Sequence, residues 1–266
     1  MEWYAAYLVL GAFVGFFAGL FGIGGGLVLV PVLSFLFEAQ HFTAQSNLHL
    51  LALGTSMAAI ILSAASSTYT HHKHGAVNIA IVRATTPGLL LGTALGTVFA
   101  SHIAVAYLTV FFVLFVYFAA LQMLLNFKPE AARQLPGRSG MTLAGAGIGA
   151  ISSLVSIGGG ILSVPFMLRH NIPLKQAIGT SAALSLPIAI GGTLGYIATG
   201  LTLDTLPPNT LGFVYLPALF WVALAGVITV PLGANATHRL PLKLLRRGFA
   251  MLLLVLATKM LLKALG

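Results

Sequence analysis

Long apolar runs fill almost the whole chain, and short polar intervals divide them into eight segments. Several runs exceed the roughly 20 residues that a helix needs to cross a bilayer. Lipid admits only helices and closed barrels, because every backbone polar group must find an internal partner, and runs this long are helical. The segments form two sets of four, at about residues 4–37, 48–66, 79–100 and 104–125, and then at about 141–168, 177–199, 211–234 and 242–262.

Two glycine tracts occupy matching positions in the two sets. Residues 19–31 read GLFGIGGGLVLVP, and residues 153–165 read SLVSIGGGILSVP. The match indicates an internal duplication, with a first transmembrane repeat at 1–127, a cytoplasmic linker at 128–140 and a second repeat at 141–266 of one integral membrane domain. Three successive glycines cost a helix about 1 kcal/mol each, so each first segment should break at its tract. Paired interruptions of this kind point to the substrate site of a repeat-built secondary transporter.

The distribution of Lys and Arg indicates how the first segment of each set meets the membrane. If that segment crosses, the 13 basic residues divide 7 to 6 between the two sides. If it is a re-entrant hairpin, 11 of the 13 share one side and only Lys259 and Lys263 oppose them. Cytoplasmic loops collect Lys and Arg, which favours the hairpin. The predicted fold is an all-α polytopic membrane protein with two inverted repeats, each a re-entrant glycine hairpin plus three transmembrane helices, and with both termini outside.

Composition narrows the function classes further. The chain is 58% hydrophobic and 6% charged, with a mean hydropathy of +1.01, and its longest polar interval, 128–138, leaves no room for a soluble domain. The first segment lacks a basic leader and carries Glu2, so we do not expect a removable signal peptide. The net charge of +9 is spread over loops, which predicts membrane orientation and no nucleic-acid partner. The absence of cysteine excludes disulfides and thiolate metal sites.

The glycines of both tracts are candidate substrate-binding residues. Each tract precedes a new helix, whose free N–H groups and positive dipole end attract anions, and a backbone without side chains can approach a ligand closely. The alternative is that these glycines serve only close helix packing. The candidates are Gly24, Gly25, Gly26, Gly158, Gly159 and Gly160.

Neutral polar residues at the start of the second segments are the other candidates. A Gly-Thr-Ser sequence recurs there, and its hydroxyls could hydrogen-bond an oxyanion, or could simply bond their own helix backbone. A histidine nearby could contact the anion or carry a proton, or could be an interfacial side chain. The candidates are Asn47, His49, Thr55, Ser56, Thr180 and Ser181.

Acidic residues are missing from the predicted spans. Cation transporters place carboxylates there, and a hydrolase needs an acid/base pair, so both classes are disfavoured. The sequence His71-His72-Lys73-His74 is a candidate metal tract, but it has no carboxylate or cysteine nearby, and we interpret it as a solvated loop or a headgroup contact. We therefore predict no metal, no cofactor and no catalytic residue.

These features together resemble the TauE/SafE family, the sulfite exporters and toluene-sulfonate uptake permeases. The resemblance covers nearly the whole chain, and Ser156 departs from it where the first tract has Gly22. It implies export or uptake of sulfite, sulfonates and related organosulfur anions without fixing the substrate. The residues that carry it are Gly22-Ile23-Gly24-Gly25-Gly26 with Pro31, Ile157-Gly158-Gly159-Gly160 with Pro165, Ala52-Leu53-Gly54-Thr55-Ser56, Ala177-Ile178-Gly179-Thr180-Ser181 and His71-His72-Lys73-His74-Gly75-Ala76-Val77.

We therefore expect a secondary transporter that moves a small sulfur oxyanion or sulfonate by alternating access, in a bacterial inner membrane. The alternatives are an intramembrane enzyme acting on a lipid phosphate and a passive anion channel. The expected partners are the small anion and the lipid bilayer. The sequence leaves open the direction of transport, the coupling ion, a proton included, and the oligomeric state, a homodimer included.

Overall fold

The computed structural model describes residues 2–22, 24–42, 47–125, 134–203, 206–236 and 242–265, and these are almost entirely helical. The helices of the first half are α1 (Glu2–Phe21), α2 (Gly26–Ala39), α3 (Leu48–Lys73), α4 (Ile79–His102) and α5 (Val105–Leu124). Those of the second half are α6 (Arg138–Leu154), α7 (Gly160–Arg169), α8 (Leu174–Gly200), α9 (Leu216–Ala236) and α10 (Leu242–Leu265). The predicted all-α polytopic fold is confirmed.

Six helices in the described part of the chain are long and apolar enough to cross a membrane, namely α1, α3, α4, α5, α8 and α9. The chain is therefore a multi-pass integral membrane protein. The sequence predicts instead that α10 crosses the membrane and that α1 is one arm of a re-entrant hairpin. Basic residues near both ends of α10 lower its hydropathy. Length and composition do not distinguish a crossing helix from a re-entrant arm, so the orientation of the hairpins and of both termini stays a prediction.

Each glycine tract breaks the helix and turns the chain back. The residue before the return helix, Gly25 or Gly159, has a left-handed φ of 79° or 75°, which glycine adopts without the steric cost of a side chain. A methyl group on Gly25 would lie 2.3 Å from Cγ1 of Val14, and one on Gly159 would lie 3.3 Å from Cγ2 of Ile148. In both hairpins, therefore, the return helix starts beside the preceding helix and does not continue beyond it.

The two halves are joined by helix pairs in which each pair takes one helix from each half. Helix α1 packs along α9, and its counterpart α6 packs along α4. Three glycines at four-residue intervals line the contact in each pair, and a methyl group on any of them would lie within 2.4 Å of an atom of the partner helix. Small residues allow this close approach of membrane helices. The stripes are Gly11, Gly15 and Gly19 on α1 and Gly88, Gly92 and Gly96 on α4.

Helices α3 and α8, which are equivalent in the two halves, pack against each other and run antiparallel. Gly54, near the start of α3, approaches the carbonyl of Phe213, whose amide bonds Tyr196 near the end of α8. Gly179, near the start of α8, approaches the carbonyl of Ala76, just beyond the end of α3. An inverted repeat requires this antiparallel course. The inversion itself refers to the membrane and stays a prediction, as do the repeat boundaries, because residues 126–133 of the linker lie outside the described residues.

A short β-hairpin precedes α9, where the sequence predicted helix from about residue 211. Strand β1 (Thr210–Leu211) pairs antiparallel with β2 (Val214–Tyr215), and α9 begins only at Leu216. Gly212 turns the hairpin with a φ of 53°. The hairpin belongs to the segment whose backbone contacts α3, so a tertiary contact accounts for the late helix start.

Candidate functional site

The two glycine tips touch each other inside the protein. A methyl group on Gly24 would lie 2.7 Å from the amide nitrogen of Gly158, and one on Gly26 would lie 1.4 Å from the carbonyl oxygen of Ser156. Real Cβ atoms essentially never approach another heavy atom closer than 3.0 Å, so a side chain at either glycine would force the tips apart. The structure thus brings the two tracts into contact.

Ser156 keeps the backbone conformation of the glycine that it replaces. Its φ is 49°, and that of Gly22 in the first tract is 66°. The hydroxyl of Ser156 donates a 3.0 Å hydrogen bond to the carbonyl of Leu53 in the other half. This interhalf bond holds a serine in the left-handed region, which non-glycine residues occupy at a cost.

Both return helices begin with backbone N–H groups that have no acceptor among the described residues. In the described ranges no hydrogen bond leaves the amides of Gly26 and Leu27 at α2 or of Gly160 and Ile161 at α7. All four residues are buried. Unpaired amides at a buried helix start, together with the positive end of the helix dipole, favour a negatively charged ligand.

A cavity of about 90 Å³, here called the α7 cavity, lies beside the start of α7. Its polar side chains are Arg246 of α10 and Gln122 of α5, and Gly160 and Ile161 form part of its wall. The other lining residues are apolar, namely Phe21, Met123, Val164, Pro165, Leu168, Leu174 and Ile178. The volume is below the about 300–1,000 Å³ of pockets for drug-sized ligands, and it suits an anion of a few heavy atoms. A helix start, a guanidinium and an amide in apolar surroundings favour such an anion.

Arg246 and Gln122 are absent from the residues predicted by sequence. Arg246 counts there among the basic residues that orient the protein, and Gln122 is an isolated amide in an apolar segment. An amide in a membrane helix is a usable signal, since polar groups in spans face protein or a cavity. The packing of α5 and α10 beside α7 is not encoded in any local pattern.

Thr55 and Thr180 tie each half to the other. The hydroxyl of Thr55 accepts a hydrogen bond from the amide of Tyr215, the residue before α9, and that of Thr180 accepts one from the amide of Asn78, the residue before α4, both at 2.9 Å. Both threonines are fully buried. Neither lines the α7 cavity, so their predicted contact with substrate stays a prediction, whereas their structural contact is clear.

The serines that follow these threonines differ between the halves. Ser181 donates a 3.3 Å hydrogen bond to the carbonyl of Gly22 and accepts one of 3.1 Å from Ser163. Ser56 is equally buried, but its hydroxyl has no partner among the described residues. The tract alignment puts Leu29 where the second half has Ser163, which removes one partner. Ser56 is therefore the more available hydroxyl of the two.

His49 and Asn47 lie at the other end of the protein from the α7 cavity. Asn47 precedes α3 and is partly exposed. His49 lines a second cavity of about 240 Å³, here called the α2 cavity. The first turn of α3 lines the α2 cavity, and the first turn of α8 lines the α7 cavity. Because α3 and α8 are antiparallel, these two turns lie far apart. The remaining lining residues are Ser34, Phe35, Glu38, Leu48, Val105, Ala106, Thr109, Met260 and Lys263.

The histidine-rich stretch is not a loop. His71, His72 and Lys73 form the last turn of α3, His71 is buried, and His74 follows the helix. Across the residues that the structure describes, no group of three His, Cys, Asp or Glu side chains is arranged to hold a metal ion.

The fold defines a polytopic membrane protein with two described cavities beside broken helices. The chain belongs to the sulfite exporter TauE/SafE family, whose profile matches residues 7–260.

Three relatives of the chain are named as probable membrane transporters. A probable membrane transporter protein of Haemophilus influenzae is 37% identical over 258 residues, which cover 96% of this chain and 97% of the relative. A probable membrane transporter protein of Methanocaldococcus jannaschii is 26% identical over 232 residues, or 85% and 80% of the two chains. The probable membrane transporter protein YdhB of Bacillus subtilis is 26% identical over 200 residues, or 70% and 76%. No solved structure matches the chain significantly. Family and relatives together identify a membrane transporter.

Proposed function

We propose that this protein is a secondary transporter of small anions, with sulfite, sulfonates and related sulfur oxyanions as its substrate class, and that it works by alternating access. The α7 cavity carries this proposal. It is lined by Gly160 and Ile161, whose amides donate no hydrogen bond to a described residue, and by the side chains of Arg246 and Gln122, and its volume is about 90 Å³. The family name supports the sulfur oxyanion class, because sulfite is a small pyramidal anion that accepts several hydrogen bonds.

The arrangement of the cavities supports alternating access. The α7 cavity reaches the tip of the second hairpin, and the α2 cavity borders the far part of the first return helix at the opposite end of the protein. The tips touch at Gly24 and Gly158. A carrier needs such a closed contact between two access routes, and the hairpins are the elements that would rearrange.

The first experiment is a binding screen by thermal shift with sulfite, thiosulfate, sulfate, sulfoacetate, taurine and simple carboxylates. A ligand that binds only the native state raises its stability. Arg246→Gln should weaken binding of the best anion by roughly 10- to 150-fold, the equivalent of the about 1.5–3 kcal/mol of a hydrogen bond to a charged group.

Arg247→Gln is the matched control. Arg247 is the exposed neighbour of Arg246 on the same helix and does not line the cavity, so its substitution removes the same charge without changing the cavity. Equal losses in both variants would indicate a general charge effect and reject the site. In proteoliposomes, counterflow exchange of the bound anion is expected of a carrier, whereas flux that does not saturate would favour a channel.

A further inference from the structure

The α2 cavity contains a buried histidine that the surrounding protein leaves unsatisfied. His49 is 5% exposed, and neither of its ring nitrogens has a hydrogen-bond partner among the described residues. Its contact with Phe112 is an edge-on ring contact at 5.5 Å, which satisfies neither nitrogen. The hydroxyl of Ser34 in the same wall is also buried, and it has no partner in the part of the chain that the structure describes. Buried polar groups in native proteins are normally paired, so these groups point to a ligand of the cavity.

The α2 cavity is the counterpart of the α7 cavity under the internal duplication. Helices α5 and α10 begin 137 residues apart, at Val105 and Leu242, and the same offset relates Met123 of the α7 cavity to Met260 of the α2 cavity. It also relates Thr109 to Arg246, so the α2 cavity has a threonine where the α7 cavity has its guanidinium.

His49 supplies a different source of charge. The offset between the repeated Gly-Thr-Ser sequences, 54–56 and 179–181, relates His49 to Leu174 of the α7 cavity. The α7 cavity therefore combines the permanent cation of Arg246 with Leu174. The α2 cavity combines the neutral Thr109 with the titratable imidazole of His49. Among the described residues, the charged side chains that line the α2 cavity with His49 are Glu38 of α2 and Lys263 of α10, which form an ion pair and neutralise each other. The α5 wall contributes no charged side chain.

We propose that the α2 cavity is a second anion-binding station whose affinity is switched by protonation of His49. The neutral imidazole leaves the cavity without net charge, and the imidazolium makes it a site for the same small anions, with Ser34 as a further donor. The inference rests on the proposed transport function and adds a pH-controlled station at the end of the protein opposite Arg246. Anion binding at this station takes up a proton, because ligand and proton favour each other reciprocally.

The test uses methanesulfonate, whose own charge is constant between pH 5 and 8, and isothermal titration of the purified full-length protein. Wild type should bind two anions at pH 5. One of the two should weaken as pH rises, by at most about tenfold per pH unit for a single coupled proton. Binding in weakly buffered solution at pH 5–6 should take up protons.

His49→Gln should keep one pH-independent site that depends on Arg246 and should abolish proton uptake. His49→Asn serves as a second variant, and His102→Gln, which changes an exposed histidine at the end of α4, should behave as wild type. A single Arg246-dependent site in wild type, or proton uptake that survives in both His49 variants, would overturn the inference while leaving the proposed function in place. No binding by wild type at any pH would refute both.

Discussion

Replacing Gly26 by alanine should drive the two hairpin tips apart. The new methyl group would lie 1.4 Å from the carbonyl oxygen of Ser156, whereas ordinary contact begins at 3.4 Å, so the tips must separate by the difference of 2.0 Å. Gly26 lies outside the left-handed region, so backbone strain adds nothing to the effect. Overpacking costs about 1–3 kcal/mol and occasionally more, and we expect about 3 kcal/mol because the obstacle is a backbone carbonyl.

A loss of that size should lower the midpoint of thermal unfolding by about 6–12 °C, at about 2–4 °C per kcal/mol for a chain of this length. The midpoint is measured by intrinsic fluorescence in detergent, with anion binding recorded in parallel. Gly147→Ala is the control, because Gly147 lies within α6 and its new methyl group meets nothing within 4 Å. That change should leave the midpoint unaltered or raise it. Equal midpoints and equal anion affinities in the two variants would refute the contact between the tips.

Three further changes test other parts of the site. Thr180→Val removes the acceptor of the Asn78 amide and should cost about 1–2 kcal/mol of stability, whereas Thr180→Ser should retain most of it; a valine variant as stable as wild type would contradict the bond. Ser56→Ala should leave the thermal midpoint unchanged, since this hydroxyl has no partner among the described residues. Ser56 lines neither the α7 cavity nor the α2 cavity, and its predicted contact with substrate requires the variant to weaken anion binding roughly tenfold; an affinity within about twofold of wild type would reject that contact. Single cysteines at Gly137 and Gly266 should be labelled from opposite sides of the membrane, and labelling from one side would reject the predicted inversion.

Sequence alone determined the helical architecture and the places where it breaks. Apolar runs of this length have only helical solutions in lipid, so the fold class follows from hydropathy. The breaks follow from local chemistry, because Gly25 and Gly159 adopt a left-handed conformation that other residues resist. The repeat is visible in the same tracts, and it indicates that both tracts serve one site.

Tertiary structure alone decided which polar groups share a cavity. Thr55 belongs to a repeated Gly-Thr-Ser sequence that predicts a substrate contact, but its hydroxyl accepts a hydrogen bond from the backbone just before α9. In the sequence, Arg246 is one of the basic residues that predict membrane orientation, but the packing of α10 places it in the cavity beside the start of α7. The sequence offers His49 as an anion contact, a proton carrier or an interfacial side chain, and only the antiparallel course of α3 and α8 places it in the α2 cavity. Hydropathy and glycine breaks are properties of a few neighbouring residues, whereas these contacts depend on packing between helices that are distant in the chain.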